Sequence, residues 1–299
     1  MSRRLFYTDH YTIDLPPGHR FPMAKYRMVR DLLTADGVFE FVIAPLASAS
    51  DVELAHDSDY VRRFLTGALS AQEIRRIGFP WSEQLVRRTL ASVGGTLAAA
   101  QEALRAGWGG NLAGGTHHAF RAEGSGFCVF NDLAVAIQWL RKSGRAEHVA
   151  VIDLDVHQGD GTAQIFGDEP NVLTFSMHCE ANFPFRKQQS KIDISLPDGT
   201  GDGEYLEQLR TVLPQVLEFR PDVVFYQSGV DGLYSDALGK LHLTHDGLKQ
   251  RDRLVMNVVR DAAIPFVITL GGGYSKPIEL TAEAHANTLR IAAEVFGSD

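Results

Sequence analysis

The stretch Val151-Ile152-Asp153-Leu154-Asp155-Val156-His157-Gln158-Gly159-Asp160-Gly161 decides how the chain is read. It begins as an apolar strand and ends in a glycine-flanked turn. Three carboxylates and one imidazole fall within the eight positions from Asp153 to Asp160. Successive side chains of a strand point to opposite faces. If the strand runs on through His157, then Asp153, Asp155 and His157 share a face. An Asp and a His at the C-terminal end of a strand suit a metal that takes N and O ligands, such as zinc. A solvated strand-to-loop junction can hold the same residues. The apolar run before them and the Gly-Asp-Gly after them weigh against that reading.

Working outward, short apolar runs alternate with helical patterns. Residues 5–7 and 40–43 read as early strands. Residues 149–154, 172–177, 222–227 and 265–270 are near-continuous apolar runs, as expected for parallel strands covered on both faces. The helical patterns span 82–106, 131–142, 203–219 and 244–262. This alternation predicts an α/β fold: one three-layer αβα domain over residues 1–299, with a mainly parallel central sheet. In such sheets ligands sit outside the carboxyl ends of the strands.

The bulk numbers exclude several classes. With 29 Lys and Arg against 37 Asp and Glu, the 299-residue chain carries a formal charge of −8. Nucleic-acid binding wants a basic face, so no direct nucleic-acid partner is expected. Two cysteines, Cys128 and Cys179, cannot build a disulfide framework and fit a reducing compartment. The first residues, Met1-Ser2-Arg3-Arg4-Leu5-Phe6-Tyr7, are too short an apolar segment for a signal sequence. No apolar stretch is long enough to span a bilayer. A cytoplasmic protein is the expectation, with its oligomeric state left open.

Three further segments carry chemistry at predicted strand ends. Gly114-Gly115-Thr116-His117-His118 ends in adjacent imidazoles. The run Val223 to Gln227 delivers Asp231 just past its end, and Gly271-Gly272-Gly273-Tyr274 follows another strand. Consecutive glycines free the backbone and would let Tyr274 be aimed at a site. Any one of these segments alone reads more simply as a turn. Together they complete an inventory. Asp155, His157 and Asp231 make three ligands and leave a position open, as catalytic zinc requires. His117 and His118 remain as acid/base groups. Asp153 and Asp160 remain to orient them, and Tyr274 remains to donate to an oxyanion. No Gly-x-Ser-x-Gly motif competes. The parts suit metal-assisted hydrolysis of an amide.

The same segments, with Gly126-Phe127-Cys128, Asn131-Asp132 and Gly159-Asp160-Gly161, resemble the zinc-dependent histone deacetylase family of the arginase/deacetylase fold. The resemblance runs from Tyr7 to the last helix. Gly18 to Tyr26 and Ser228 to Asp231 look most like the class IV branch. The resemblance implies removal of acetyl or long-chain fatty acyl groups from protein lysines. Asp155, His157 and Asp231 would bind Zn2+, with Fe2+ as an alternative occupant. His118, paired with Asp160, would be general base and then acid. His117, paired with Asp153, would assist electrostatically. Tyr274 would hold the oxyanion. Gly126, Phe127 and Phe183 would line the substrate tunnel, with Phe185 as the alternative to Phe183. A structural K+ would sit on Asp153, Asp155, His157, Ser176 and Met177.

The chain also departs from the family pattern. A rim aspartate is replaced by Gly78-Phe79-Pro80-Trp81-Ser82, so Phe79 and Trp81 are expected to shape an apolar rim. Three glycines precede Tyr274 where many relatives have four. A small acylated amine such as a polyamine is the alternative substrate, with Glu123 and Glu180 as contributors to an acidic gate. A silent acyl-lysine-binding module ranks low, because no ligand, His or Tyr is missing. An arginase-type two-manganese site would need a second ligand set.

Overall fold

The structure is a computed structural model that describes residues 3–297. Met1 and Ser2, which begin the stretch read for a signal, lie outside the described residues. The expected parallel sheet is present with eight strands: β1 (Arg4–Tyr7), β2 (Glu40–Ile43), β3 (Trp108–Asn111), β4 (Val149–Asp153), β5 (Val172–Cys179), β6 (Ile192–Leu196), β7 (Val223–Gln227) and β8 (Phe266–Thr269). Every pairing is parallel, in the order β2-β1-β3-β8-β7-β4-β5-β6.

All residues of β3, β4, β5, β7 and β8 are buried, so helices cover both faces of the central sheet. The expected helices appear as Glu83–Ala106, Asp132–Lys142, Asp202–Glu218 and His245–Asp261, joined by Ile278–Val295 and shorter ones. Their starts are set by side-chain caps. Ser82 accepts from Leu85 N, Asn131 from Ala134 N, and Thr244 from Gly247 N.

Two strands had no sequence signal. β3 reads Trp-Gly-Gly-Asn because helix Glu83–Ala106 presses onto its backbone. A Cβ at Gly109 would lie 2.2 Å from the carbonyl oxygen of Ala99. β6 is an edge strand of alternating burial, and its run of Ile-Asp-Ile-Ser-Leu is short.

The sheet order positions the site. β3, β8, β7 and β4 are consecutive neighbours at its centre. Each of the four segments that carry chemistry follows one of them.

Candidate active site

β4 stops at Asp153, so the condition under which Asp153, Asp155 and His157 would share one strand face is not met. Asp155 and His157 converge instead through local turns. Asp155 N donates to Asp153 Oδ1 at 3.2 Å, and His157 N donates to Asp155 Oδ1 at 3.0 Å. Each Asp carboxylate therefore folds the chain that presents the next side chain.

From β7 comes Asp231, whose Oδ1 accepts from Val156 N at 2.9 Å. Arg251, buried in helix His245–Asp261, donates to the carbonyls of Gly229 and Ser228 and fixes that strand end. His157 Nδ1 then lies 3.0 Å from Asp155 Oδ1 and 3.1 Å from Asp231 Oδ2. Donors bonded at ~2.0–2.1 Å in a tetrahedron are about 3.3 Å apart, so one small cation fits among these atoms. The three side chains are buried and form a group that can hold a metal ion. Burial and the Asp155 charge push the Asp231 carboxyl up to about 7. Burial pulls the His157 imidazolium down, but the two carboxylates outweigh it and lift it to about 10. Two buried carboxylates gathered on one imidazole make a site that a divalent cation relieves.

The histidine pair follows β3 on a turn that Asp132 holds. Asp132 is fully buried and accepts from Gly115 N at 3.0 Å and Thr116 N at 2.7 Å. Gln227 donates to Gly115 O at 2.8 Å from the end of β7. His117 Nδ1 meets Asp153 Oδ2 at 2.6 Å, and His118 Nδ1 meets Asp160 Oδ1 at 2.7 Å. These are the pairs that the resemblance implied. Burial lowers His117, but the charges of Asp153 and Asp155 reverse this and raise it to about 9. Burial and the neighbouring His117 charge lower His118 to about 4. At neutral pH the pair is therefore split, with His117 charged and His118 neutral. No protein group hydrogen-bonds His118 Nε2 among the described residues, which leaves that nitrogen free for a substrate proton.

The glycine run after β8 serves two purposes. Gly271 has φ 72°, which glycine adopts freely. At Gly272 the reason is space, because a Cβ there would lie 1.9 Å from Asp231 Oδ2. Its N–H donates instead to Asp155 Oδ2 at 2.8 Å. Asp236 accepts from Tyr274 N at 2.6 Å. Lys25 is fully buried and donates to Gly271 O at 3.1 Å and Gly273 O at 3.4 Å. Sequence reasoning missed Lys25, Asp132, Asp236, Gln227 and Arg251 as positioning residues. Asn131-Asp132 was noticed as a motif, but only the fold reveals what its carboxylate holds.

A cavity of about 990 Å³ joins these groups. Gly126, Phe127 and Phe183 line it together with His117, His118, Asp155, His157, Asp160, Asp231 and Tyr274. Phe183 stands edge-on to His118 with centroids 4.9 Å apart. Phe185 also borders the cavity but is 89% exposed, so it belongs to the lip and Phe183 to the inner wall. Phe127 is held in the left-handed backbone region at φ 65°, a costly conformation for a bulky residue. Phe79 lines the cavity, but Trp81 does not. Its indole turns inward and donates to Phe64 O at 2.7 Å, which corrects the expected rim role. Arg20, Arg75, Arg76, Arg186 and Lys240 border the cavity in place of a rim carboxylate. Glu123 is paired with Arg76, and neither Glu123 nor Glu180 lines the cavity. Of the residues implied for potassium, Asp153 and Ser176 are neighbours in the β4–β5 register, Met177 follows Ser176, and all five are buried. The Ser176 hydroxyl lies 3.0 Å from His178 Nδ1.

The histone deacetylase domain family matches residues 19–291. The chain belongs to the histone deacetylase family. It is 47% identical to an uncharacterized protein of Picosynechococcus sp. over 99% of this chain and 100% of that one. It is 35% identical to the acetoin utilization protein AcuC of Bacillus subtilis (85% and 72%). It is 32% identical to histone deacetylase 2 of Arabidopsis thaliana (91% and 74%). Among solved structures, the HDA15 HD domain shares the fold with a TM-score of 0.80 at 20% identity, over 99% of this chain and 91% of that one. The chain is thus a deacetylase, a hydrolase of amide bonds. No helix among the described residues is long and apolar enough to cross a membrane.

Proposed function

We propose that this deacetylase removes acyl groups, acetyl or long-chain fatty acyl, from lysine side chains of proteins. The observation that carries the reading is the convergence of Asp155, His157 and Asp231 with the split His pair and Tyr274 on one cavity. Asp155, His157 Nδ1 and Asp231 would hold the metal. The mixed N and O donor set suits Zn2+, and Fe2+ accepts the same donors. Bound there, the metal would acidify a water and polarise the acyl carbonyl.

The chain's own groups do the rest. His118 takes the proton of the attacking water at Nε2 and returns it to the departing lysine nitrogen. Asp160 keeps the His118 proton on Nδ1, so Nε2 is the basic nitrogen. His117, charged and anchored by Asp153, favours the negative charge that builds nearby. Tyr274 donates to the acyl oxygen. Gly126, Phe127 and Phe183 form walls that exclude water and guide the acyl-lysine. Asp153, Asp155, His157, Ser176 and Met177 would hold K+ and stiffen the loop after β4. The class IV resemblance favours the long-chain acyl group.

Small acylated polyamines are the second reading. The arginines at the cavity border disfavour a free polycation, and the acidic gate that such substrates would use is missing from the lining. A carrier that brings negative charge is better matched. The test is kcat/KM of the zinc-loaded protein on one lysine peptide carrying acetyl or a long fatty acyl group, and on an acetylated polyamine. Turnover of either peptide above the polyamine is expected. Preference for the polyamine would overturn the protein-lysine reading.

A further inference from the structure

The cavity does not end at the catalytic groups. Its lining also includes Gly114, Gly115 and Thr116, and Ser92, Thr89 and Arg88 of helix Glu83–Ala106, which packs on β3. Arg88 is only 7% exposed. Its Nη1 is buried without a hydrogen-bond partner, and no ion pair reaches its guanidinium among the described residues. It lies over the Tyr26 ring with Cζ 4.4 Å from the centroid, and 5.8 Å from the Phe21 centroid. Phe21 in turn is 6.4 Å from the Tyr274 ring. Phe21 thus neighbours both Arg88 and the residue that would hold the acyl oxygen. On the same Tyr26 ring sits a second buried cation, Lys25, at 5.3 Å, and it too has no carboxylate partner. Buried cations are normally paired, because an unpaired charge away from water is costly. Among the described residues, the only carboxylates lining the cavity, Asp155, Asp160 and Asp231, belong to the catalytic groups. An arginine fork without an acceptor, facing a cavity, matches a planar carboxylate.

We propose that Arg88 makes the inner end of the cavity a carboxylate subsite, so that the enzyme accepts acyl groups with a second, terminal carboxylate, such as short dicarboxylic acyl chains. This rests on the lysine-deacylase reading above. Water adds to the amide carbonyl carbon and the C–N bond breaks. The lysine nitrogen takes the proton, and the dicarboxylic acid leaves with its far carboxylate still on Arg88. A carboxylate could also reach Arg88 as the product acid of a simple acyl group, and the experiment separates the two sources.

The experiment measures kcat/KM of the zinc-loaded enzyme on one peptide carrying acetyl-, butyryl- or glutaryl-lysine, for wild type, Arg88→Met and Arg88→Lys. Binding of free glutarate and butyrate is measured by calorimetry on the same proteins. Wild type is expected to prefer glutaryl over butyryl. In Arg88→Met that ratio should fall about 10- to 100-fold, the loss of a charge-assisted hydrogen-bonded pair. Arg88→Lys should recover part of it, which a fold defect would not do. Glutarate should bind more tightly than butyrate to wild type and equally to Arg88→Met. This comparison stands even if no peptide is turned over, an outcome that would sink the deacylase reading alone. Equal binding of the two acids by wild type overturns the proposal. So does an unchanged glutaryl-to-butyryl ratio in Arg88→Met, and a weakened binding of free butyrate as that variant's sole effect would assign Arg88 to the product.

Discussion

Tyr274 offers a hydroxyl that no protein group hydrogen-bonds among the described residues, on a ring whose backbone is fixed by Asp236 and by the glycine loop on Lys25. Burial raises its pKa well above the ordinary tyrosine value, so it remains a donor at any working pH. Tyr274→Phe should therefore keep its metal content and lose about 10²- to 10³-fold in kcat, the usual effect of deleting one oxyanion donor. Wild-type turnover by the zinc-loaded variant would remove Tyr274 from the chemistry. At this scale the site was largely legible. Asp155, His157, Asp231, the His pair and Tyr274 all follow apolar runs, and a strand end marks where a side chain can face a ligand. Lys25 and Arg88 were not legible. Arg88 lies in a stretch that reads as an ordinary helix and Lys25 in a segment that carries only a family resemblance, and only packing between distant segments buries either charge.

Among the elements, the start of helix Asp132–Lys142 controls the turn that presents the histidines, and His56 secures it. His56 Nε2 accepts from Asn131 N at 2.8 Å, which requires a neutral ring. Burial lowers its folded pKa from 6.5 to about 4. The unfolded chain therefore binds the His56 proton first as pH falls. The His56 contribution is fully present above pH 6.5 and is lost as pH falls towards about 4, a total of about 3 kcal/mol. Denaturant unfolding at pH 7 and pH 4.5 should show this loss in wild type, with a shallower slope in His56→Gln. Equal slopes would mean that another group governs acid stability. The strands of the sheet differ in legibility for a physical reason. β4, β5, β7 and β8 announce themselves by apolar runs. β3 hides because the helix on top of it leaves no room for side chains at Gly109. β4 ends earlier than its pattern suggests because the Asp153 and Asp155 carboxylates capture backbone N–H groups that a strand would have paired.

Across the whole molecule, the order of the sheet assembles chemistry from residues more than a hundred positions apart. β3, β8, β7 and β4 lie side by side, so four loops distant in sequence open onto one cavity. Composition gave no hint of that cavity's charge. The chain is acidic overall at −8, yet the cavity border is arginine-rich. The same centre should couple metal to stability, because a ligand bound only by the folded chain stabilises it by ~2.7 kcal/mol at a hundredfold excess over Kd. The central claim is that Asp155, His157 and Asp231 hold one catalytic metal. The measurement that tests it most directly is metal content and kcat/KM on an acetyl-lysine peptide, for chelator-stripped protein before and after titration with zinc, in wild type and Asp231→Asn. Turnover should be absent from the stripped enzyme and return in proportion to zinc up to one ion per chain, with neither binding nor turnover recovered in Asp231→Asn. Full turnover by the stripped enzyme, or a zinc-restored Asp231→Asn as active as wild type, would contradict it.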